Sequence, residues 1–256
     1  MTTVSPPIEI EGLATDYAAG EWIAAHAHDA HQIVHAGVGV LRVVSDTAAW
    51  VVPQGRAVWM PAGRVHAIRC HTAVQMRTVY LRGTAASLPE ACAVWSVSPL
   101  MREIVIRIAT SPEPSGREHL LALLLSEIET IDALPLALPR PADARLRRLT
   151  EAISADPADR RPLEGWAREL AMSERTLIRR FAAETGMTFR QWRRQARLLA
   201  ALERLAAGEP VTSVAYAIGY NSVSAFIETF REIFGETPGR YFGAPDGRAA
   251  RASEGR

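Results

Sequence analysis

The chain has 256 residues, of which 48% are hydrophobic and 22% charged, with a formal net charge of +1. That length holds one large domain or two medium ones, and the composition is that of an ordinary globular protein rather than a disordered chain. Two cysteines, Cys70 and Cys92, exclude a disulfide scaffold and fit a reducing cytoplasm, the location expected here. No basic-then-apolar leader opens the sequence, and runs such as Leu120 to Leu125 are too short to span a bilayer, so no membrane partner is expected.

The first 83 or so residues read as β-strands: "VLRVVS", "AAWVVP", "AVWMPAG" and "MRTVYLRG", rich in Val and aromatics and broken by Gly, Pro or Asp. A spacing of about ten residues favours a sandwich or barrel. Trp22, Trp50 and Trp59 read as its core, with a pocket lining as the alternative. Four histidines crowd the stretch Gly20 to Gly39, at 26, 28, 31 and 35. On a strand, His26 and His28 share a face, as does Gln32 if the strand continues. His31 and His35 have the opposite parity and read as surface residues.

From Pro99 the periodicity becomes helical. "LMREIVIRIAT" and "REHLLALLLSEIETI" read as a helix pair, each with more apolar residues than one packed face needs, which points to a homodimer surface. "DALPLALPRPAD" (Asp132 to Asp143) contains three prolines and reads as an interdomain linker. Residues 144–242 read as helices with short turns, and 243–256 as a disordered tail. The expected organisation is therefore a barrel (1–83), a coupling helix pair (84–131), a linker (132–143) and a helical domain (144–242). Charge follows this division. Residues 1–139 carry 9 arginines against 13 acidic residues, whereas 140–256 carry 20 against 15, and no lysine occurs anywhere. The basic half points to an anionic partner.

The helical half repeats itself. An offset of 49 places Ser173 on Ser222, Leu177 on Phe226, Ile178 on Ile227 and Phe181 on Phe230. Ahead of each stretch lies a small-residue helix end, Ala167 to Ala171 and Ala215 to Gly219. Each unit reads as helix, tight turn, capping Ser, second helix, the helix-turn-helix pattern. Leu177/Phe181 and Phe226/Phe230 fall on one inward face. The faces left over carry Glu174, Arg175, Ile178 and Arg179 in the first unit, and Val223, Ser224, Ile227 and Glu228 in the second. A long amphipathic helix between the units, with Phe189, Trp192, Leu199, Leu202 and Leu205 as core positions, would fix their spacing. Two recognition helices on one face of B-DNA would sit about 34 Å apart.

The phrases "SERTLIRRFAAETG" and "GYNSVSAFIETFREIFGETPGRY" resemble the AraC-type transcriptional regulators over residues 143–242. The resemblance implies seven helices in two helix-turn-helix subdomains. It places Arg175, Ile178 and Arg179 on the first base-reading surface and Ser224, Ile227 and Glu228 on the second. Glu228 departs from the polar or basic residue common there. A carboxylate accepts from cytosine N4 but repels phosphate, so the second unit would read sequence weakly.

The N-terminal half is similar to the cupin barrels in two spaced motifs. Gly20, His26, His28, Gln32 and Gly39 match the first, and Gly55, Pro61, Gly63 and His66 the second, with Cys70 where an Asn is usual. The resemblance implies a ligand set of His26, His28, Gln32 and His66, with Gln32 in place of the usual Glu. Three imidazoles and an amide oxygen would suit Zn²⁺, Ni²⁺, Fe²⁺ or Mn²⁺. Cys70 would add a softer ligand if it shares the face of His66. A purely organic effector held in a metal-free barrel is the competing reading.

The fold expected is thus multidomain α+β: a cupin barrel with a helical pair, followed by an all-α tandem helix-turn-helix domain. The function expected is a DNA-binding transcription regulator responding to a small molecule or metal, with promoter DNA and RNA polymerase as partners and no catalytic residues. The competing class is a metal-dependent cupin enzyme, a dioxygenase or isomerase. Gln32 stands where such a site would need a carboxylate.

Overall fold

The computed structural model describes residues 8–83, 88–111 and 115–242; the expected tail at 243–256 lies outside the described residues. The strands are β1 (Glu9–Tyr17), β2 (Trp22–His26), β3 (His31–Val38), β4 (Leu41–Val44), β5 (Ala48–Val52), β6 (Arg56–Met60), β7 (His66–Cys70), β8 (Val74–Arg82), β9 (Ala93–Ser96), β10 (Ala133–Leu134) and β11 (Ala137–Pro139). They form two antiparallel sheets, ordered β1-β8-β3-β6-β9-β10 and β11-β5-β4-β7-β2. Strand alternation divides the core. Val34 and Ala36 of β3 face the second sheet and pack with Leu41, Val43 and Val52. Ile33 faces the other way and packs with Met101, Ile104 and Ile108 of a covering helix.

That helix is α1 (Pro99–Thr110), followed by α2 (Arg117–Glu129). Ser98 caps α1 by accepting from the Met101 N–H, and Pro99 opens its first turn, where a missing N–H is harmless. The helix approaches β1 closely because Gly12 has no side chain: a Cβ there would lie 2.0 Å from the Ile108 carbonyl oxygen. The outer sheet face is therefore not a surface. His35, read from parity as exposed, is fully buried beneath α1, and its Nδ1 lies 3.0 Å from the Arg56 carbonyl oxygen. His31 is half-buried and stacks on Trp59 at 5.2 Å. Trp50 and Trp59 are buried, whereas Trp22 is 56% exposed and forms no part of the core.

The proline-rich stretch is also not a free linker. Its first part pairs as β10 with β9, and its second as β11 with β5, so it closes one edge of each sheet. Unpaired strand edges are satisfied in this way. The barrel likewise runs past residue 83, because β9 pairs with β6.

The helical domain comprises α3 (Ala144–Ala155), α4 (Leu163–Glu169), α5 (Glu174–Thr185), α6 (Phe189–Ala206), α7 (Val211–Ala217), α8 (Val223–Phe234) and α9 (Pro238–Phe242). Ser173 caps α5 through the Thr176 N–H and Ser222 caps α8 through the Ala225 N–H. Leu177, Phe181, Phe226 and Phe230 are fully buried. Both units turn through a left-handed residue just past the first helix, Ala171 at φ +50° and Gly219 at φ +87°. The two turns make the same closing bonds, Met172 N–H to Ala167 O and Tyr220 N–H to Ala215 O. Alanine is strained in that conformation. Ala171→Gly is expected to stabilise the domain by about 0.5–1 kcal/mol, strain relief outweighing the added unfolded-state entropy. Gly219→Ala should do the reverse and by more, since its Cβ would sit 3.0 Å from Ala158 Cα. Thermal melts of the two variants check this, and equal shifts would refute it.

Helix α6 docks the helical domain on the barrel. Its Trp192 indole N–H donates to Pro139 O at 2.8 Å and Gln195 donates to Ala137 O, both on β11. Arg42 of β4 grips Glu203 of α6 with two parallel bonds of 2.7 and 3.0 Å. The His71 Nε2 lies 3.2 Å from the same carboxylate, without hydrogen-bond geometry. Burial, followed by the nearby Arg42 and Arg69 cations, brings the His71 pKa down from 6.5 to about 4. The native state thus refuses a proton that the unfolded chain accepts. The stability tied to a neutral His71 is present above pH 6.5 and is lost as pH falls toward about 4. In His71→Asn the fall in Tm across that window should be shallower; a profile identical to wild type would contradict this.

Candidate metal centre and nucleic-acid interface

Three of the four expected ligands meet at one end of the barrel. His26 closes β2, His28 sits in the turn to β3, and His66 opens β7, paired directly with His26. Their ligand atoms all lie within 4.8 Å of one another. The Gly63 N–H bonds to His28 O at 2.8 Å, tying the β6–β7 loop to this turn. His26 Nδ1 lies 2.7 Å from Ala24 O, and His66 Nδ1 lies 2.9 Å from Arg64 O. A carbonyl only accepts, so each Nδ1 carries the proton and each Nε2 presents a lone pair. The Nε2 atoms of His28 and His66 are buried without a partner. Burial lowers the pKa of both rings, with His26 adding to the effect, so they stay neutral as ligation requires.

Gln32 donates to the Tyr80 hydroxyl at 3.4 Å and leaves its own Oε1 buried and unpartnered. The Tyr80 ring lies 5.0 Å from the His28 ring, so Gln32 and Tyr80 belong to the same polar cluster. Tyr80 was not foreseen; its place follows from the pairing of Gln32 with Tyr80 across β3 and β8, which the sequence does not display. Cys70 is not part of the cluster. It lies at the other end of β7, four residues or about 13 Å away along a strand. The donor set therefore fits a divalent cation: the orphaned Nε2 atoms of His28 and His66, the tautomers of His26 and His66 fixed by backbone carbonyls, and one amide oxygen nearby. It contains no carboxylate, so it compensates little of the ion's charge.

The helical half presents a different chemistry. Arg175, Ile178 and Arg179 are exposed on α5, Ile178 at 53%. A third exposed arginine, Arg180, is bound to Asp143 at 3.0 Å. Arg175 and Arg179 make no ion pair among the described residues, so both guanidinium groups are available. On α8, Ser224 and Glu228 are exposed, but Ile227 is half-buried and packs on the core rather than pointing outward. The structure thus divides the second expected trio.

Two family descriptions match the chain: "AraC-like ligand binding domain" over residues 8–127 and "Helix-turn-helix domain" over residues 166–244. The regulator NimR of Escherichia coli is 34% identical over 221 residues, covering 84% of this chain and 81% of that one. This chain belongs to the AraC family of transcriptional regulators. As an AraC-family protein it combines a ligand-binding N-terminal domain with a DNA-binding C-terminal domain. The regulator RipA of Corynebacterium diphtheriae is similar over a shorter span, 34% identical across 109 residues, 43% of this chain and 32% of that one. Among solved structures, fatty-acid-bound ToxT of Vibrio cholerae aligns over 93% of this chain and 95% of its own, at 13% identity and a TM-score of 0.39. No described helix is long and apolar enough to cross a membrane.

Proposed function

We propose that the barrel senses a divalent transition metal or a small molecule and that α5 and α8 carry the response to promoter DNA. The observation that carries the reading is the pair of unpaired guanidinium groups, Arg175 and Arg179, on the exposed face of the first recognition helix. Arginine reads guanine with two parallel hydrogen bonds. Glu228 on α8 would add little affinity, since it faces phosphate with the wrong charge. A homodimer formed through α1 and α2 would present two such domains. Leu100 and Leu123 support it, being 48% and 45% exposed on these helices. A cytoplasmic regulator rather than an enzyme is the simplest assignment, because among the described residues no carboxylate joins the histidine cluster, and the neighbouring Asp29 is exposed and paired with Arg82.

Metal, where bound, would be held by His26, His28 and His66, with the Gln32 amide oxygen as a fourth donor. Three neutral imidazoles suit Zn²⁺, Ni²⁺, Fe²⁺ or Mn²⁺. Elemental analysis of protein purified without a histidine tag should find about one equivalent, lost in His28→Ala and His66→Ala. No metal in the wild type, together with DNA binding unchanged in both variants, would remove the metal from this reading.

A further inference from the structure

The bonds from β4 and β11 that dock the helical domain end on α6. A further barrel contact reaches the second helix-turn-helix unit instead. Arg56, the first residue of β6, sets its guanidinium over the Tyr241 ring of α9, with Cζ 5.4 Å from the ring centroid. That separation lies within cation–π range. Little else claims this guanidinium. Its Nη1 donates to the adjacent Gly55 carbonyl at 3.3 Å, and its Nε is buried without a hydrogen-bond partner. The Tyr241 hydroxyl is likewise buried and unpartnered, so the ring carries the contact.

Both ends of this contact are anchored. The Arg56 N–H donates to Pro53 O at 3.1 Å, and the Gly55 N–H ties the same turn to Ala36 O of β3 at 2.9 Å. The Arg56 carbonyl faces His35 Nδ1, so the footing of the side chain is the sheet that α1 covers. At the other end, the Tyr241 ring meets Phe230 edge-on at 5.5 Å and Phe234 at 5.6 Å, both on α8. Phe230 in turn meets Phe226 at 5.8 Å. Phe226 and Phe230 form the fully buried face of α8, opposite the exposed Ser224 and Glu228.

We propose that Arg56 and Tyr241 are positioning residues, through which the barrel holds the second recognition helix, α8, in its DNA-binding pose. The inference rests on the proposed DNA-binding role of α5 and α8. The first recognition helix is tied differently, through Arg180 to Asp143 ahead of α3. The two helices thus answer to different parts of the chain. A weak reader gains most from being held in place. Glu228 contributes little affinity of its own, so α8 adds to binding only as far as its pose is set before DNA arrives. A shift of β6, or of the sheet beneath α1, then changes the share of binding due to α8 without touching Arg175 or Arg179.

The test uses the full chain and a duplex selected from a random pool, each half of which is scrambled in turn. The half whose scrambling matters least in Arg179→Ala is read by α5, and the other by α8. Scrambling the α8 half should weaken the wild type about tenfold. In Arg56→Met, which keeps the apolar stem and drops the cation, that factor should shrink about threefold, the scale of one cation–π contact. The factor for the α5 half should stay as in the wild type, which a general loss of stability would not allow. Tyr241→Leu should match Arg56→Met, whereas Tyr241→Phe, which keeps the ring, should retain the wild-type factor. Amide exchange, read without DNA, should quicken in α8 and not in α5 when Arg56 is replaced by Met. The proposal falls if the α8 half has no effect in the wild type or if Arg56→Met leaves its factor unchanged. It falls equally if both halves lose alike, or if Tyr241→Phe is as impaired as Tyr241→Leu. Failure to select any duplex would instead overturn the regulator reading. Amide exchange would then still decide whether Arg56 holds α8, and unchanged exchange would refute it.

Discussion

Arg179→Ala should weaken binding to the chain's operator by roughly ten- to hundredfold and relax its preference at one base pair, as expected for loss of a bidentate contact worth about 1–3 kcal/mol. The structure separates this arginine from its neighbours. Arg180 already holds Asp143, which in turn caps α3 through the Arg145 and Leu146 N–H groups, so Arg180 is committed to the fold. Arg179 has no such duty. Salt dependence distinguishes reading from mere attraction. A base-reading Arg179 lowers specific affinity while leaving non-specific affinity nearly unchanged. A phosphate-binding one lowers both and reduces the salt slope by about one. Arg180→Ala is the contrasting variant: its first effect should be on thermal stability. Equal specific affinity in wild type and Arg179→Ala would mean that α5 does not enter the groove by this face.

The readable and unreadable parts of the chain differ in the range of the interactions behind them. Ser173 and Ser222 cap helices three residues away, so the tandem units were visible from local pattern alone. His26, His28 and His66 were marked by motif spacing, and the barrel closes them into one cluster. Strand parity also told truly that His35 faces away from Gln32. It could not tell that α1 covers that face, because the cover depends on Gly12 meeting Ile108 across the fold. The same limit hid β10 and β11, two- and three-residue strands whose prolines look like a linker until their partners β9 and β5 are known. It hid Tyr80, reached only through strand register, and it left Cys70 open as an added ligand, which the length of β7 rules out. Ile227 followed its repeat partner Ile178 in sequence but not in exposure, because its side chain is drawn onto the core beneath α8.

Arg42→Ala should loosen the helical domain from the barrel. Glu203 is the reason. Its side chain is only 11% exposed, and burial pushes its carboxyl up while the Arg42 guanidinium pulls it back. Removing the guanidinium leaves a carboxylate that must either protonate or stay charged out of water, a penalty of about 3 kcal/mol, reduced somewhat because Arg42 itself is a quarter exposed. His71 offsets this only in part: removing Arg42 relieves one cause of its lowered pKa, but burial, the largest cause, and the Arg69 cation remain. The expected readouts are a lower Tm and faster proteolysis within residues 132–143, where β11 is held by Trp192 and Gln195 of α6. Arg42→Met combined with Glu203→Leu should recover most of the lost stability, because it removes the stranded charge as well as the pair. It should not recover the coupling, if the fork is what makes α6 follow β4. Operator affinity in the double variant would then no longer respond to whatever the barrel binds. A Tm and cleavage pattern unchanged in Arg42→Ala would place the docking energy in the apolar contacts of α6 alone.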